Sequence, residues 1–429
     1  MTKGLALDGS RSPLASLDTR RLAKALVLFL FFVVASGNAR FIWWSGLLPT
    51  LALCPVVLLL ARHPGGMAAI GPLPALAFLS LTALMIVGGA SAALVDPDAA
   101  TFLHWAGVYL SPVLLYAAVR SIEWDERLAR WAWSLLLAGT LVPLVGGLAA
   151  YYSEWGVPTG LELLLSRYSL ERMTGYMQAT YGNTGNTAAL LALLLPAWLA
   201  ALLSPKPRPL ARAVALVGLA VAMCHVLIVQ SRTLFLVMLL VLPVILLFFR
   251  VRIAPAVIAL LLIAGAVVLP ALEARDRFVE LTVGALDGEG EDQSVSERVE
   301  AMHIGLALMR DHPAFGVGPG HSTTANPYTT AHQYWVHQGA EIGIAGFLLS
   351  VLLSLAVFIR TAVAFLRGRT PGGDRWAFLH AVGPAGFMLY GVIANMTLAM
   401  SVVNTWVGLF AMLLAMADAP RRDAGRGRG

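Results

Sequence analysis

Charge is scarce in this chain. Asp, Glu, Lys and Arg make up 13% of its 429 residues, 58% are hydrophobic, and the mean hydropathy is +0.76. A soluble domain of this length needs more charged surface, because apolar area would otherwise face water. Composition therefore excludes a water-soluble enzyme. Cysteine is nearly missing as well: Cys54 and Cys224 are the only two, and both fall inside apolar runs. Neither a disulfide framework nor a cysteine metal cluster is compatible with that pair. The sequence also lacks an internal repeat, a nucleotide-binding glycine motif and any stretch polar enough to form a soluble domain.

What the chain has in abundance is long apolar runs near the ~20 residues that span a bilayer. They fall at 23–38, 41–61, 67–94, 101–119, 128–152, 184–204, 210–229, 232–249, 253–272, 333–359, 376–398 and 401–417. The expected fold class is thus an all-α polytopic membrane protein with about 12 transmembrane helices. Four segments follow from the runs: 1–272 with the first nine spans, a long outer connection at 273–332, the last three spans at 333–418, and a basic tail at 419–429.

Charge fixes the expected orientation. With both termini cytoplasmic, only Arg40, Arg167, Arg172, Arg232, Arg275, Arg277, Arg298 and Arg310 of the 30 Lys and Arg face the outer side. Basic residues collect on the cytoplasmic side of bacterial membrane proteins, so the reverse orientation is disfavoured. The pI of about 9.5 then reflects topology and contact with anionic lipid headgroups, not nucleic acid. The N-terminal run resembles a signal peptide but reads as a retained signal anchor. Trp105, Trp155, Trp335 and Trp406 read as interfacial anchors.

Two outer connections, 153–183 and 273–332, are longer than the rest. Loops of that length are usually functional or disordered. The second holds a helix signal: SVSE at 294–297 has the form of a capping box with Ser294 as N-cap. Val299, Met302, Leu306 and Met309 then recur at helical spacing until Pro313. Such an amphipathic helix lies on the membrane surface or packs over the bundle. The loop DHPAFGVGPGH at 311–321 alternates Gly316, Gly318 and Gly320. It could turn amides toward an anion, but a flexible turn is the preferred reading. Asp96 and Asp98 are the nearest approach to an acidic metal motif and read as a tight turn.

The segment AHQYWVHQGAEIGIAG, 331–346, opens the tenth span with two histidines. If the helix is regular, at about 100° per residue, Gly343 lies nearly on the face of His332 and Gly346 within about 40° of it. His337 is then rotated by about 140° and Glu341 by roughly 180°, which speaks against a His–Glu metal pair on this helix. His337 reads as packing in an aromatic interface with Tyr334 and Trp335. His332, at the interfacial end, could exchange protons with water near neutral pH.

His332-Gln333, nine residues, then Gly343-Ile344-Ala345-Gly346 resembles the motif of the bacterial O-antigen ligases, within a superfamily that includes O-antigen polymerases and protein O-oligosaccharyltransferases. RMTG at 172–175, GNTGNTAALLALLLP at 182–196, QSRTLFL at 230–236 and SERVEAMHIGLALMRDHPAFGVGPG at 296–320 are similar to other family segments. The match runs from about 170 to 350; the first 150 residues agree in hydropathy only. Gln333 stands where Asn is commoner in the superfamily, a variant the ligase motif allows. The resemblance implies a membrane-embedded glycosyltransferase of the type C (GT-C) fold. Its reaction would be transfer of a glycan from undecaprenyl pyrophosphate to lipid A–core oligosaccharide at the periplasmic face of the inner membrane.

That chemistry needs positive charge at a pyrophosphate leaving group and a base at the acceptor hydroxyl. No acidic metal motif stands out, so arginine is the expected source of charge, without a metal or other cofactor. Arg232 opens an apolar helix, where amides and dipole also favour an anion. Arg298 is the second pyrophosphate ligand expected and Arg172 a weaker third. His332 is the expected base, in a single displacement with inversion. Gln333, His337 and Glu341 are secondary candidates. A polymerase or protein O-oligosaccharyltransferase would share the donor and differ in acceptor. A twelve-helix lipid or solute transporter is the reading from another class, disfavoured because the two halves look unalike and the polar candidates cluster at the outer surface.

Overall fold

The computed structural model describes residues 13–37, 47–61, 71–152, 184–203, 209–229, 231–250, 293–322, 331, 333–370, 375–393 and 405–418. Regular structure among them is helical: α1 (Pro13–Ala35), α2 (Leu47–Ala61), α3 (Pro72–Leu94), α4 (Ala99–Arg120), α5 (Glu126–Tyr152), α6 (Thr184–Leu203), α7 (Pro209–Val229), α8 (Arg232–Phe248), α9 (Gln293–Asp311), α10 (Tyr334–Gly368), α11 (Arg375–Ile393) and α12 (Thr405–Asp418). Each expected span coincides with one of these except 253–272, which lies outside the described residues, as do the connection 153–183 and the tail 419–429. The extra element, α9, is the helix expected in the long outer connection.

Four helices, Pro72–Leu94, Ala99–Arg120, Glu126–Tyr151 and Tyr334–Gly368, are long and apolar enough to cross a membrane, and six shorter apolar helices accompany them. The protein is an all-helical, multi-pass membrane protein. Two helices run past their expected ends. α1 begins ten residues before the run at 23, and α10 continues nine beyond 359. Hydropathy marks where lipid contact ends, whereas backbone hydrogen bonding carries a helix on into its basic flank.

α10 is the central element, packed on α3, α9 and α11. α6 lies against α7, α8 and α11, while α12 lies between α4 and α11. Small residues let these backbones approach closely. A Cβ on Gly383 would stand 2.6 Å from the Leu193 carbonyl oxygen of α6, and one on Gly139 would stand 2.5 Å from that of Phe32 in α1.

Polar side chains gather at the two ends of α4. At its C-terminal end, Tyr116 donates to Asp418 Oδ2 at 2.7 Å, Arg360 ion-pairs with the same carboxylate, and Arg120 donates to the Asp418 carbonyl. This ties α4 and α10 to the last helix. The N-terminal end holds a different cluster.

Candidate functional site at the break in α10

The α4 end of the bundle is organised by a helix that is not continuous. Ile342 (φ −128°, ψ 19°) and Gly343 (φ 79°, ψ −172°) leave helical geometry, so α10 comprises a stub at 334–341 and a long helix from 344 onward. The cause lies in the glycine loop after α9. Val317 donates to the Ala340 carbonyl at 2.9 Å and Gly318 to that of Glu341 at 3.0 Å, while the Ile344 amide donates to the Pro313 carbonyl at 2.9 Å. The loop supplies what the broken helix lacks, since an interrupted helix leaves carbonyls and amides unpaired.

Two glycines make this approach possible. A Cβ on Gly316 would fall 2.3 Å from the Glu341 carbonyl carbon, and one on Gly343 would fall 2.6 Å from the Pro313 oxygen. Both also have positive φ, the region that side chains disfavour. The preference for a flexible turn is therefore corrected. The loop is a fitted latch, and its Val317, Gly318 and Gly320 amides face α10 instead of an external anion. The helical arithmetic across 332–346 is corrected too, because no regular helix connects those positions. Gly343 serves the break and the loop, not a smooth helix–helix face.

The Glu341 side chain points into the same place and is fully buried. Its Oε1 accepts from the Gly320 amide at 2.8 Å and the Ser322 hydroxyl at 3.1 Å, with His337 Nε2 at 3.3 Å. Its Oε2 accepts from Tyr109 at 3.0 Å, with His104 Nε2 at 3.8 Å. Ser91 of α3 donates to the Phe315 carbonyl at 2.6 Å and reaches that of Glu341 at 3.3 Å. His337 is thus a polar partner of Glu341 and of Ser322 (3.5 Å), in place of the aromatic packing expected of it.

His104 and Tyr109 reach Glu341 from a distorted stretch of α4. Residues Ala106–Leu110 form a single π-helical turn. Such π-bulges rotate the helix that follows them and recur at functional sites. The Trp105 indole donates to the Met85 carbonyl at 2.9 Å, fixing that stretch on α3. Beside it, Asp98 caps α4 through the Thr101 amide at 2.6 Å, and Asp96 pairs with His321 at 2.9 Å. The Thr101 backbone and side-chain hydrogen bonds, with the nearby His321, hold the exposed Asp98 carboxyl below its ordinary range. Among the described residues, no group of three or more His, Cys, Asp or Glu is placed to hold a metal.

Of the residues expected to act, His332 and Arg172 lie outside the described residues, and at Arg232 only the backbone is described, opening α8. His332 is bracketed closely. Ala331 packs on Gly305 of α9, where a Cβ would approach it to 2.8 Å, and Gln333 caps the stub by accepting from the Val336 amide at 2.7 Å. Arg298 is exposed on α9. Tyr390 of α11 lies near Ser231, the cap of α8, and within electrostatic reach of Arg298 of α9.

The α9 helix corrects two details. It begins at Gln293, so Ser294 is inside it and not its cap. Its buried face carries Ala301 and Gly305, while Val299 and Leu306 of the expected apolar stripe are exposed.

Residues 217–351 match the family model described as O-antigen ligase. That stretch is similar to the O-antigen ligase family. It covers about a third of the chain and takes in α8, α9, the glycine latch and the α10 break. No curated protein matches the chain. The matched stretch contributes Glu341, His337, Gly320 and Ser322 to the buried cluster, whereas Ser91, His104 and Tyr109 come from outside it. Sequence reasoning missed those three. His104 carried a usable signal, since an ionisable side chain inside an apolar run is rare and is seldom idle.

Proposed function

We propose that the protein is an O-antigen ligase of the GT-C type, with about twelve membrane spans and both termini cytoplasmic. It transfers a glycan from undecaprenyl pyrophosphate to lipid A–core oligosaccharide at the periplasmic face of the bacterial inner membrane. The observation that carries this reading is the family match at 217–351, which contains the His332-Gln333…Gly343…Gly346 motif.

The reaction is a displacement at the anomeric carbon. The acceptor hydroxyl forms the new C–O bond as the bond to pyrophosphate breaks, with inversion, and its proton passes to neutral His332. Negative charge grows on the leaving group, and guanidinium forks suit phosphate oxygens. Arg232 and Arg298 are assigned that role, with Arg172 as a weaker third and no metal required. Support for the pairing comes from Tyr390, which lies near Ser231, the residue before Arg232, and within electrostatic reach of Arg298. The buried Glu341 cluster supports the site by holding Ser322, ten residues before His332, and His337, five residues after it. Both lipid-linked substrates would enter from the bilayer beside α9.

In vitro ligation tests this. Purified protein is mixed with undecaprenyl-pyrophosphate-linked glycan and lipid A–core in the presence of EDTA, comparing wild type with His332→Ala. Ligation by wild type and its loss in a folded His332→Ala variant are expected. Lengthened lipid-linked glycan without ligation would replace this reading by a polymerase. Ligation that survives in His332→Ala would remove His332 as the base.

A further inference from the structure

Glu341 is a wholly buried carboxylate with no Lys or Arg ion pair among the described residues. The elements packed round it supply Ser91 from α3, His104 and Tyr109 from α4, Gly320 and Ser322 from the latch, and His337 from its own stub. The nearest further ionisable groups on the latch side are Asp96 and His321, already paired with each other. Isolated buried charge is expensive and persists only when paired and hydrogen-bonded.

Both carboxylate oxygens accept hydrogen bonds, Oε1 from the Gly320 amide and the Ser322 hydroxyl and Oε2 from the Tyr109 hydroxyl. The basic side chains beside it are imidazoles. Two are within reach, at 3.3 Å (His337) and 3.8 Å (His104). His104 Nε2 and His337 Nδ1 are buried and have no hydrogen-bond partner among the described residues. A proton can thus be held at either ring without breaking a bond already made.

We propose that Glu341 is a positioning residue: charge-paired with one proton held by His337 and His104, its carboxylate locks the Gly316–Ser322 latch onto the break in α10. The latch end, Ser322, and the stub start, Gln333, lie on either side of His332, with Ala331 the described residue directly before it. Fixing them fixes the approach of the segment between them to the acceptor. The pairing with function rests on the ligase reading; the latch itself does not.

Glu341→Gln separates charge from shape, since the amide keeps an acceptor for Gly320 and Ser322 and can donate to the Tyr109 oxygen. The protein is reconstituted in nanodiscs, and hydrogen exchange of the 313–322 segment is followed alongside transfer kinetics. In Glu341→Gln, exchange there rises about tenfold or more as the latch opens locally. kcat falls about tenfold or more while the donor KM stays within about twofold. The double variant His104→Gln/His337→Gln behaves the same way. Adding Glu341→Gln to it costs nothing further, because the groups act as one unit. Wild-type protection and kcat in Glu341→Gln would overturn the proposal, as would losses that simply add. If wild type ligates nothing, the ligase reading falls and the exchange arm still decides on the latch.

Discussion

Gly343 has two independent reasons to be glycine: a φ of 79° and a carbonyl oxygen standing where a Cβ would go. Gly343→Ala adds about 1–2 kcal/mol of left-handed strain and forces the Pro313–Ala314 backbone back. The expected result is a clearly lowered unfolding midpoint in detergent and faster proteolysis in the latch, measured by thermal size-exclusion stability and limited digestion. The pair Gly343 and Gly346 was visible in the sequence, but its purpose was not. Regular helical geometry assigns small residues to a packing face, and nothing local in IGIAG announces that the carbonyls before it are bonded elsewhere. The donors, Val317 and Gly318, lie beyond a connection that includes residues outside the described set. Likewise Tyr109 stands 232 positions before Glu341, so no periodicity within either helix could have joined them.

At the scale of an element, α9 shows how composition and burial can part company. Its stripe of Val299, Met302, Leu306 and Met309 was legible as amphipathic, and the helix exists where that stripe placed it. Yet the most deeply buried positions are the small ones, Ala301 and Gly305, close over Ala331 and Val336, while of the stripe Met309 reaches the stub at Gly339 and Val299 and Leu306 stay exposed. In a membrane protein the large apolar side chains can face lipid, so the hydrophobic side need not be the protein side. Gly305→Val is therefore expected to lift α9 from the stub, since its Cβ would already lie 2.8 Å from Ala331 and 2.9 Å from Val336. Ligation should fall steeply with little change in the yield of folded protein, and exchange across α9 should rise. Leu306→Ala, on the exposed side, should leave that exchange unchanged.

For the whole molecule, the two polar clusters hold opposite ends of α4, and they should be separable by experiment. Asp418 is the only carboxylate among the described residues that ion-pairs with Arg360, and its removal strands the buried Arg360, while the Arg120 bond to the residue-418 carbonyl is kept. Asp418→Asn should cost about 3–5 kcal/mol, the typical loss when one member of a buried pair is deleted. A fall in thermal midpoint with an unchanged donor KM would mark it as structural; a selective change in KM would contradict that division of labour. The Glu341 cluster also has a direction in time. Every partner of its side chain, from His104 and Tyr109 to Gly320, Ser322 and His337, precedes it in the chain. Synthesis runs from the N-terminus, so His104 and Tyr109 of α4, the latter 232 positions upstream, are made long before the acid emerges. A carboxylate alone in the bilayer is costly; this one arrives with its near neighbours Gly320, Ser322 and His337, to partners on α4 made earlier. Circular permutation that placed 334–368 ahead of 72–120 would reverse that order, and the insertion machinery would then meet the acid before its partners on α4 were made.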